Sequence, residues 1–264
     1  MTFKGVLGMV AIAACIIHGS RSSAQASINE NQNTYIYVNG STGSDSNPGT
    51  STRPFKTIQA GVNKAISDAR SGIGTKVMIS SGTYRETVTL NYKSNVPITL
   101  QADSTGGAVI DGSNVLSGFW KASSAVYAYS WKDSVTGCAL PSGWYTGMPS
   151  VAQANEMLFV NGMPMTQVMS SSQLLAGTFY VNHGGDEVEV YPPSGTDMNT
   201  AQVEISARRA TLSVDGASNL VFRGLVFQHA ASCMNNTGAT VGSSTNILVD
   251  SDKAESGTTG AAWV

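Results

Sequence analysis

Three side chains near the end of the sequence are of types that can move protons or bind a cation. Asp250 and Asp252 are separated by one residue in TNILVDSDK, and His229 is a lone histidine in FQHAAS. Carboxylates act as general acids and bases or as calcium ligands, and histidine carries protons near neutral pH. We therefore take Asp250, Asp252 and His229 as catalytic candidates.

Each of the three also has a structural interpretation, and the sequence leaves both interpretations open. Asp250 falls beside Arg223 when SNLVFR is aligned with TNILVD, so the two could form an ion pair. Asp252 would then occupy a turn, and His229 would be hydrogen-bonded in place at a strand end. Arg223 is in addition a candidate for substrate binding.

Four aromatic residues in the middle of the chain could bind sugar rings. Their flat apolar faces and polar edges suit stacking against a carbohydrate. We take Trp144 and Tyr145 as substrate-binding candidates, and Trp120 and Trp131 share the same segment. The alternative is that all four belong to the hydrophobic core of a subdomain.

Metal sites are weakly supported by the sequence. Asp45 and Asn47 in GSDSNPGT offer the oxygen ligands that calcium prefers, but both are also ordinary turn formers beside Pro-Gly. The sequence has no Cys/His spacing typical of zinc, no catalytic triad, no phosphate loop and no dinucleotide motif. We therefore predict no metal among the site residues.

A repeat determines where these candidates must lie. Asn219 and Asn246 are 27 residues apart (246 − 219 = 27), and each precedes three apolar residues and a charged one. Strand alternation directs Leu220 and Phe222 inward and Val221 outward. A repeat of short strands cannot bury its own apolar face, so its copies must stack. We therefore predict a parallel β-helix whose coils pair about 4.8 Å apart.

One helix and several short strands precede the repeat. Apolar residues three and four apart predict an amphipathic helix over residues 55–69, with Thr57 as its N-cap. Strands are predicted at KVMIS, ETVTL, PITLQA and AVIDG. Hairpins are predicted at Asn161-Gly162 and at the Gly-Gly of VNHGGDEVEV. The fold class is therefore all-β, with an N-terminal capping helix and an inserted β-rich subdomain.

The first 26 residues have the features of a secretory signal peptide. A single Lys precedes an apolar run too short to span a bilayer, and the segment ends in Ala24-Gln25-Ala26. The alternative is a lipoprotein cleavage box that would leave a lipidated Cys15. Either route delivers the protein to the periplasm or the exterior. There Cys138 and Cys233 could form a disulfide or remain separate thiols.

The amino-acid composition limits which kinds of partner the protein can bind. Charged residues make up 12% of the chain and the formal net charge is −2. Nucleic-acid binding favours clustered Lys and Arg, so we exclude a nucleic-acid partner. After signal cleavage no segment is apolar enough to cross a membrane, and we expect a monomer.

Two motifs are the most specific in the N-terminal half: G-S-D-x-N-P-G-T…P-F-x-T-I and S-G-T-Y-R-E, Ser81 to Glu86. They resemble the N-terminal module of secreted right-handed parallel β-helix proteins of the pectate-lyase-like superfamily. VNGMPMTQV, YPPSGTD and GLVFQHAAS resemble β-helix proteins classed as glycoside hydrolases, in which a β subdomain interrupts the helix. Such proteins usually continue for many more coils, so we expect this chain to be truncated at its C-terminus. The division expected is 1–26 signal peptide, 27–115 cap and first coils, 116–210 inserted subdomain and 211–264 further coils.

The resemblance implies a secreted, carbohydrate-active protein, the N-terminal part of a glycoside hydrolase that degrades a polysaccharide. Glycosidases need two carboxyls about 5–5.5 Å apart for retention or about 6.5–9.5 Å apart for inversion. Outward side chains on neighbouring or next-but-one coils can supply these spacings. The alternatives are a polysaccharide lyase, which would use a base and often calcium, and a non-catalytic glycan-binding or surface protein. A hydrolase would need no cofactor.

Overall fold

The computed structural model describes residues 31–93, 95–132, 154 and 156–231, together with the backbone of residues 239–241 and 245–250. Within these ranges the chain is mostly β-strand with one α-helix, which confirms the all-β prediction. No helix in the described part is long and apolar enough to cross a membrane. The expected signal peptide, both later cysteines, Trp144, Tyr145 and Asp252 lie outside the described residues.

The strands are short, as the turn-rich sequence predicts. In chain order they are β1 Thr34–Val38, β2 Thr75–Ile79, β3 Gly82–Tyr84, β4 Val88–Asn91, β5 Ile98–Ala102, β6 Ala108–Asp111, β7 Ser113–Leu116, β8 Trp120–Lys121, β9 Tyr127–Ser130, β10 Leu158–Val160, β11 Met163–Pro164, β12 Thr166–Val168, β13 Thr178–Asn182, β14 Glu187–Tyr191, β15 Val203–Ser206, β16 Leu212–Asp215, β17 Ser218–Arg223, β18 Leu225–Gln228, β19 Ala239–Val241 and β20 Thr245–Asp250. The helix α1 spans Ile58–Arg70, between β1 and β2.

Three of the sheets are parallel throughout. Their strand orders are β1-β2-β5-β17-β20, β19-β16-β4 and β18-β6-β3. Consecutive strands of the chain belong to the three sheets in turn. β4, β5 and β6 lie one in each sheet, and β16, β17 and β18 pair with them in the same order. We call each such set of consecutive strands a rung. Every rung supplies the hydrogen-bonding edge on which the next rung is laid.

The 27-residue repeat corresponds to two stacked strands. β17 pairs in parallel with β20, and the register sets Leu220 beside Ile247 and Phe222 beside Val249, as the alignment predicts. Leu220 and Phe222 are buried, which confirms their inward direction. Asn219, the repeated position, has a φ of 56°, in the left-handed region that Asn tolerates better than most residues.

The outward direction predicted for Val221 does not leave it exposed. Val221 is fully buried although it lies on the opposite face from Leu220 and Phe222. In register beside it is Thr99, also fully buried, whose hydroxyl donates a hydrogen bond of 3.0 Å to the side chain of Gln32. The segment containing Gln32 therefore lies against the outer face of this sheet at Thr99, which alternation alone does not indicate.

The helix α1 closes the apolar interior of the parallel sheets near β1. It begins one residue after Thr57, whose hydroxyl accepts from Ala60 N, so the predicted N-cap is confirmed. Asp45 accepts from Lys56 N and Thr57 N at 2.9 and 2.8 Å, which matches the structural interpretation of Asp45. The buried face of α1 packs on β1, β2 and β4 within one continuous hydrophobic cluster.

The strands from β7 to β15 form two further sheets, ordered β11-β10-β15-β7 and β12-β13-β14-β9-β8. Apart from the parallel pair β12–β13, their pairings are antiparallel. Both predicted hairpins are present: Asn161-Gly162 joins β10 to β11 with positive φ at both residues, and residues 183–186 join β13 to β14. Trp131 is buried in the separate hydrophobic cluster of these sheets, whereas Trp120 remains 43% exposed.

Candidate functional site

Stacking of the rungs aligns three polar side chains at the end of one parallel sheet. Gln228 is in register with Asp111, and Tyr84 is in register with Ile110, so Arg85 follows directly beside Asp111. Arg85, Asp111 and Gln228 therefore occupy equivalent positions on three successive rungs, with the carboxylate between a guanidinium group and a side-chain amide. The sequence SGTYRE places Arg85 there because Tyr84 is the last residue of β3.

The carboxylate of Asp111 is buried, and both of its oxygens accept hydrogen bonds. Its Oδ1 accepts hydrogen bonds from Ser113 N at 2.8 Å and Ser113 Oγ at 2.7 Å, and its Oδ2 accepts from Gln228 Nε2 at 2.9 Å. Arg85 Nη1 lies 3.5 Å from Oδ1. Burial raises the pKa of Asp111, but the hydrogen bonds from His229, Gln228 and Ser113 outweigh it and hold the pKa below its ordinary value. Asp111 is therefore an ionised, buried anion.

Arginine side chains connect this anion to the antiparallel sheet. Arg85 Nη2 forms an ion pair with Glu204 of β15, and Arg85 Nη1 donates to Ser113 Oγ at 2.6 Å. Arg208 donates to the carbonyl of Ser113 at 3.1 Å and to Asn114 Oδ1 at 2.9 Å. Two carboxylates and two guanidinium groups thus lie where the parallel sheets meet the antiparallel one.

His229, the residue after β18, completes the cluster. Its Nδ1 lies 3.1 Å from Oδ2 and 3.2 Å from Oδ1 of Asp111. Its ring lies on that of Phe159 in β10, with centroids 3.9 Å apart and planes inclined by 31°. The backbone of His229 has a φ of 57°, an uncommon conformation for histidine. Its side chain remains 20% exposed.

A glycine permits this arrangement. Gly112 follows Asp111, and its N–H donates to the carbonyl of Gln228 at 2.9 Å. A Cβ built at Gly112 would lie 2.5 Å from the carbonyl oxygen of His229 and 2.8 Å from Ala230 Cα. The two backbones can approach this closely only because residue 112 has no side chain.

Among the other predicted site residues, Arg223 is described and does not lie in this cluster. Arg223 ends β17, in a different sheet, where the register sets it beside Gln101 and Asp250. That register agrees with the alignment, but the side chain of Asp250 is outside the described residues. Asp252, Trp144 and Tyr145 are also outside them, so their roles remain predictions.

Sequence reasoning missed most of the cluster. Asp111, Glu204, Arg208 and Arg85 are not among the candidates that the sequence offers. Glu86, next to Arg85, has a structural role, because its carboxylate accepts from Ile58 N and Gln59 N at 2.8 and 2.9 Å. Burial raises the pKa of Glu86. The one available signal for Asp111 was its occurrence at the end of the buried strand AVID.

Comparisons with known proteins give a fold-level result. No family model matches the sequence. A stretch of 88 residues, 33% of this chain, is 36% identical to the uncharacterized protein YwoF of Bacillus subtilis strain 168, of which it covers 17%.

Two solved structures share the fold over three quarters of the chain. XylC, solved in complex with xylose, matches with a TM-score of 0.57 and 20% identity over 76% of this chain and 36% of its own. A protein described as a glycoside hydrolase matches with a TM-score of 0.53 and 14% identity over 75% of this chain and 51% of its own. The chain thus spans about a third to a half of these solved chains.

Proposed function

We propose that this chain is the N-terminal part of an exported polysaccharide-degrading glycoside hydrolase built on a right-handed parallel β-helix. The rotation of the chain through three parallel sheets supports the helical path. Crossovers between parallel strands are right-handed in about 98% of cases, which supports the hand. On this proposal residues 27–115 and 211–264 wind the helix and residues 116–210 form the inserted subdomain.

The observation that carries the proposal is the shared fold with XylC, solved with xylose, and with a glycoside hydrolase over about 75% of the chain. Fold alone does not determine reaction, so the site must supply the chemistry. Rungs about 4.8 Å apart can present carboxylates at the separations that glycoside hydrolysis requires. The predicted Asp250 or Asp252 would contribute one such group, and its partner would come from another rung.

The buried cluster around Asp111 fixes one end of the stacked rungs. Asp111 and Glu204 both lie beside Arg85 in a buried hydrogen-bonded cluster, so neither is a free catalytic carboxylate. Their role on this proposal is to hold the inserted sheet and His229 against the rungs. A neutral polysaccharide fits a chain of low charge density, and xylan is the first substrate to examine because XylC was solved with xylose.

The test is an activity assay on the exported chain, and on its longer in-frame form if one is encoded. We would incubate each with xylan, other neutral plant polysaccharides, pectin and alginate, with and without calcium. New reducing ends without unsaturated products would support hydrolysis. Unsaturated ends would replace the hydrolase proposal with a lyase, and retention on insoluble polysaccharide without cleavage would replace it with a binding protein.

Export has a separate test. On this proposal the chain leaves the cytoplasm after cleavage behind Ala26, into the periplasm or the medium. N-terminal sequencing of the protein recovered from those fractions should begin at Ser27. A mature chain beginning at a lipidated Cys15 would replace this with a lipoprotein.

A further inference from the structure

We propose that His229 is a sugar-hydroxyl-binding residue whose Nε2 accepts the hydrogen bond, and that Asp111 is the positioning residue that presents it. This inference rests on the proposed function and adds a ligand contact to it.

The partners of Asp111 determine where the imidazole carries its proton. The carboxylate accepts from Ser113 N, Ser113 Oγ and Gln228 Nε2 and lies beside Arg85, so it is ionised and can only accept. His229 Nδ1 lies 3.1 Å from this acceptor and must therefore be the donor. In the neutral ring the bare nitrogen is then Nε2, which is an acceptor.

The ring is held on two sides. Phe159 lies against one face at 3.9 Å between centroids, and Asp111 fixes the edge that carries Nδ1. The backbone of His229 adopts a φ of 57°, and its carbonyl oxygen lies where only a glycine at residue 112 leaves room for it. Such left-handed conformations cost about 1–3 kcal/mol in non-glycine residues and concentrate at ligand-binding and catalytic positions.

The remaining nitrogen is open to a ligand. Within the described residues Nε2 of His229 forms no hydrogen bond, and the side chain keeps 20% of its surface exposed. Phe159 is only 8% exposed and covers one face of the imidazole, so the polar contact that His229 offers is the bare Nε2. A bare acceptor nitrogen on a partly exposed ring matches a hydroxyl donor, and hydroxyl groups are the main polar groups of a neutral sugar.

The ring nitrogens can be observed directly by two-bond proton–nitrogen NMR correlation. The sequence has three histidines, His18 in the expected signal peptide, His183 and His229, so assignment needs only His183→Gln and His229→Gln variants. We expect neutral His229 to carry its proton on Nδ1, and we expect Asp111→Asn to introduce the Nε2-protonated form. Addition of xylohexaose should shift the Nε2 resonance of His229 and leave the ring of His183 unchanged.

Affinity provides the second measurement. His229→Gln should weaken xylohexaose binding about tenfold, the loss expected for one neutral hydrogen bond, and His183→Gln should not. A His229 ring protonated on Nε2 would overturn the inference whatever the ligand does. Backbone shifts without any change at His229 would also overturn it, while the proposed function would stand. If xylohexaose and the other glycans shift no resonance, the proposed function fails and this inference fails with it.

Discussion

Arg85 and Glu204 form an ion pair although they are 119 residues apart in the chain. Arg85 follows a strand of the parallel sheets, and Glu204 belongs to the antiparallel strand β15. Through its Nη1 the same guanidinium also lies 3.5 Å from Asp111. One side chain therefore links two kinds of sheet, and breaking it should loosen the junction at which His229 is held.

Replacing Arg85 by Met should destabilise the protein by about 3 kcal/mol, because it leaves two buried carboxylates without their cation. The side chains of Asp111 and Glu204 are only 2% and 8% exposed, so water cannot easily replace the guanidinium. Urea unfolding measures the change, with Arg70→Met, at the exposed last residue of α1, as the matched control. Equal effects of the two substitutions would contradict a bridging role for Arg85.

Asp111→Asn should show a pH-dependent loss of stability. The folded-state pKa of Asp111 lies below its value in an unfolded chain, so the ionised carboxylate stabilises the fold above about pH 4. That contribution is lost as the pH falls towards the folded-state pKa. We expect a cost on the order of 2 kcal/mol at pH 7 that shrinks below pH 4.

Urea unfolding of wild type and variant between pH 3 and pH 7 measures this trend. Asp215→Asn removes an exposed carboxylate at the end of β16 and controls for the loss of one charge. A cost of Asp111→Asn that stays constant across this range would show that its carboxylate is not the group responsible.

The repetitive part of the fold could be predicted from sequence because its determinants are local. Alternation places Leu220 and Phe222 in the core, and helical spacing locates α1 to within three residues at its start. The offset between Asn219 and Asn246 gave the strand register, since parallel rungs repeat their pattern at a fixed distance. Each of these inferences uses residues close in sequence or related by one repeat.

The cluster could not be predicted in the same way. His229 was a candidate by type alone, and its partner Asp111 is 118 residues away, across the inserted segment. Glu204 pairs with Arg85 because of the way the antiparallel sheet packs against the parallel ones. No local sequence pattern indicates that packing. The burial of Val221 was missed for the same reason, because it depends on which segment covers the outer face of the sheet.

Gly112→Ala should destabilise the protein by about 2 kcal/mol or more, since overpacking typically costs 1–3 kcal/mol. The new Cβ would lie 2.5 Å from the carbonyl oxygen of His229, and backbone atoms cannot move away as a flexible side chain can. Gly184→Ala is the matched control, because its Cβ would meet only Asn182 Oδ1 at 3.7 Å. The midpoint of urea unfolding compares them. An unchanged midpoint for Gly112→Ala would exclude the close approach.

Substitutions at Asn219 test whether the left-handed backbone conformation explains why asparagine recurs in the repeat. At a φ of 56° an alanine should cost about 1 kcal/mol, because it keeps the Cβ that crowds the following carbonyl but lacks the short polar side chain whose local hydrogen bonding lets asparagine adopt the left-handed region. Glycine adopts this conformation freely, so Asn219→Gly should be less destabilising than Asn219→Ala, despite the extra entropy glycine loses on folding. Urea unfolding of the two variants gives the comparison. If glycine costs as much as alanine, the side-chain contacts of Asn219, and not its φ, explain why asparagine recurs in the repeat.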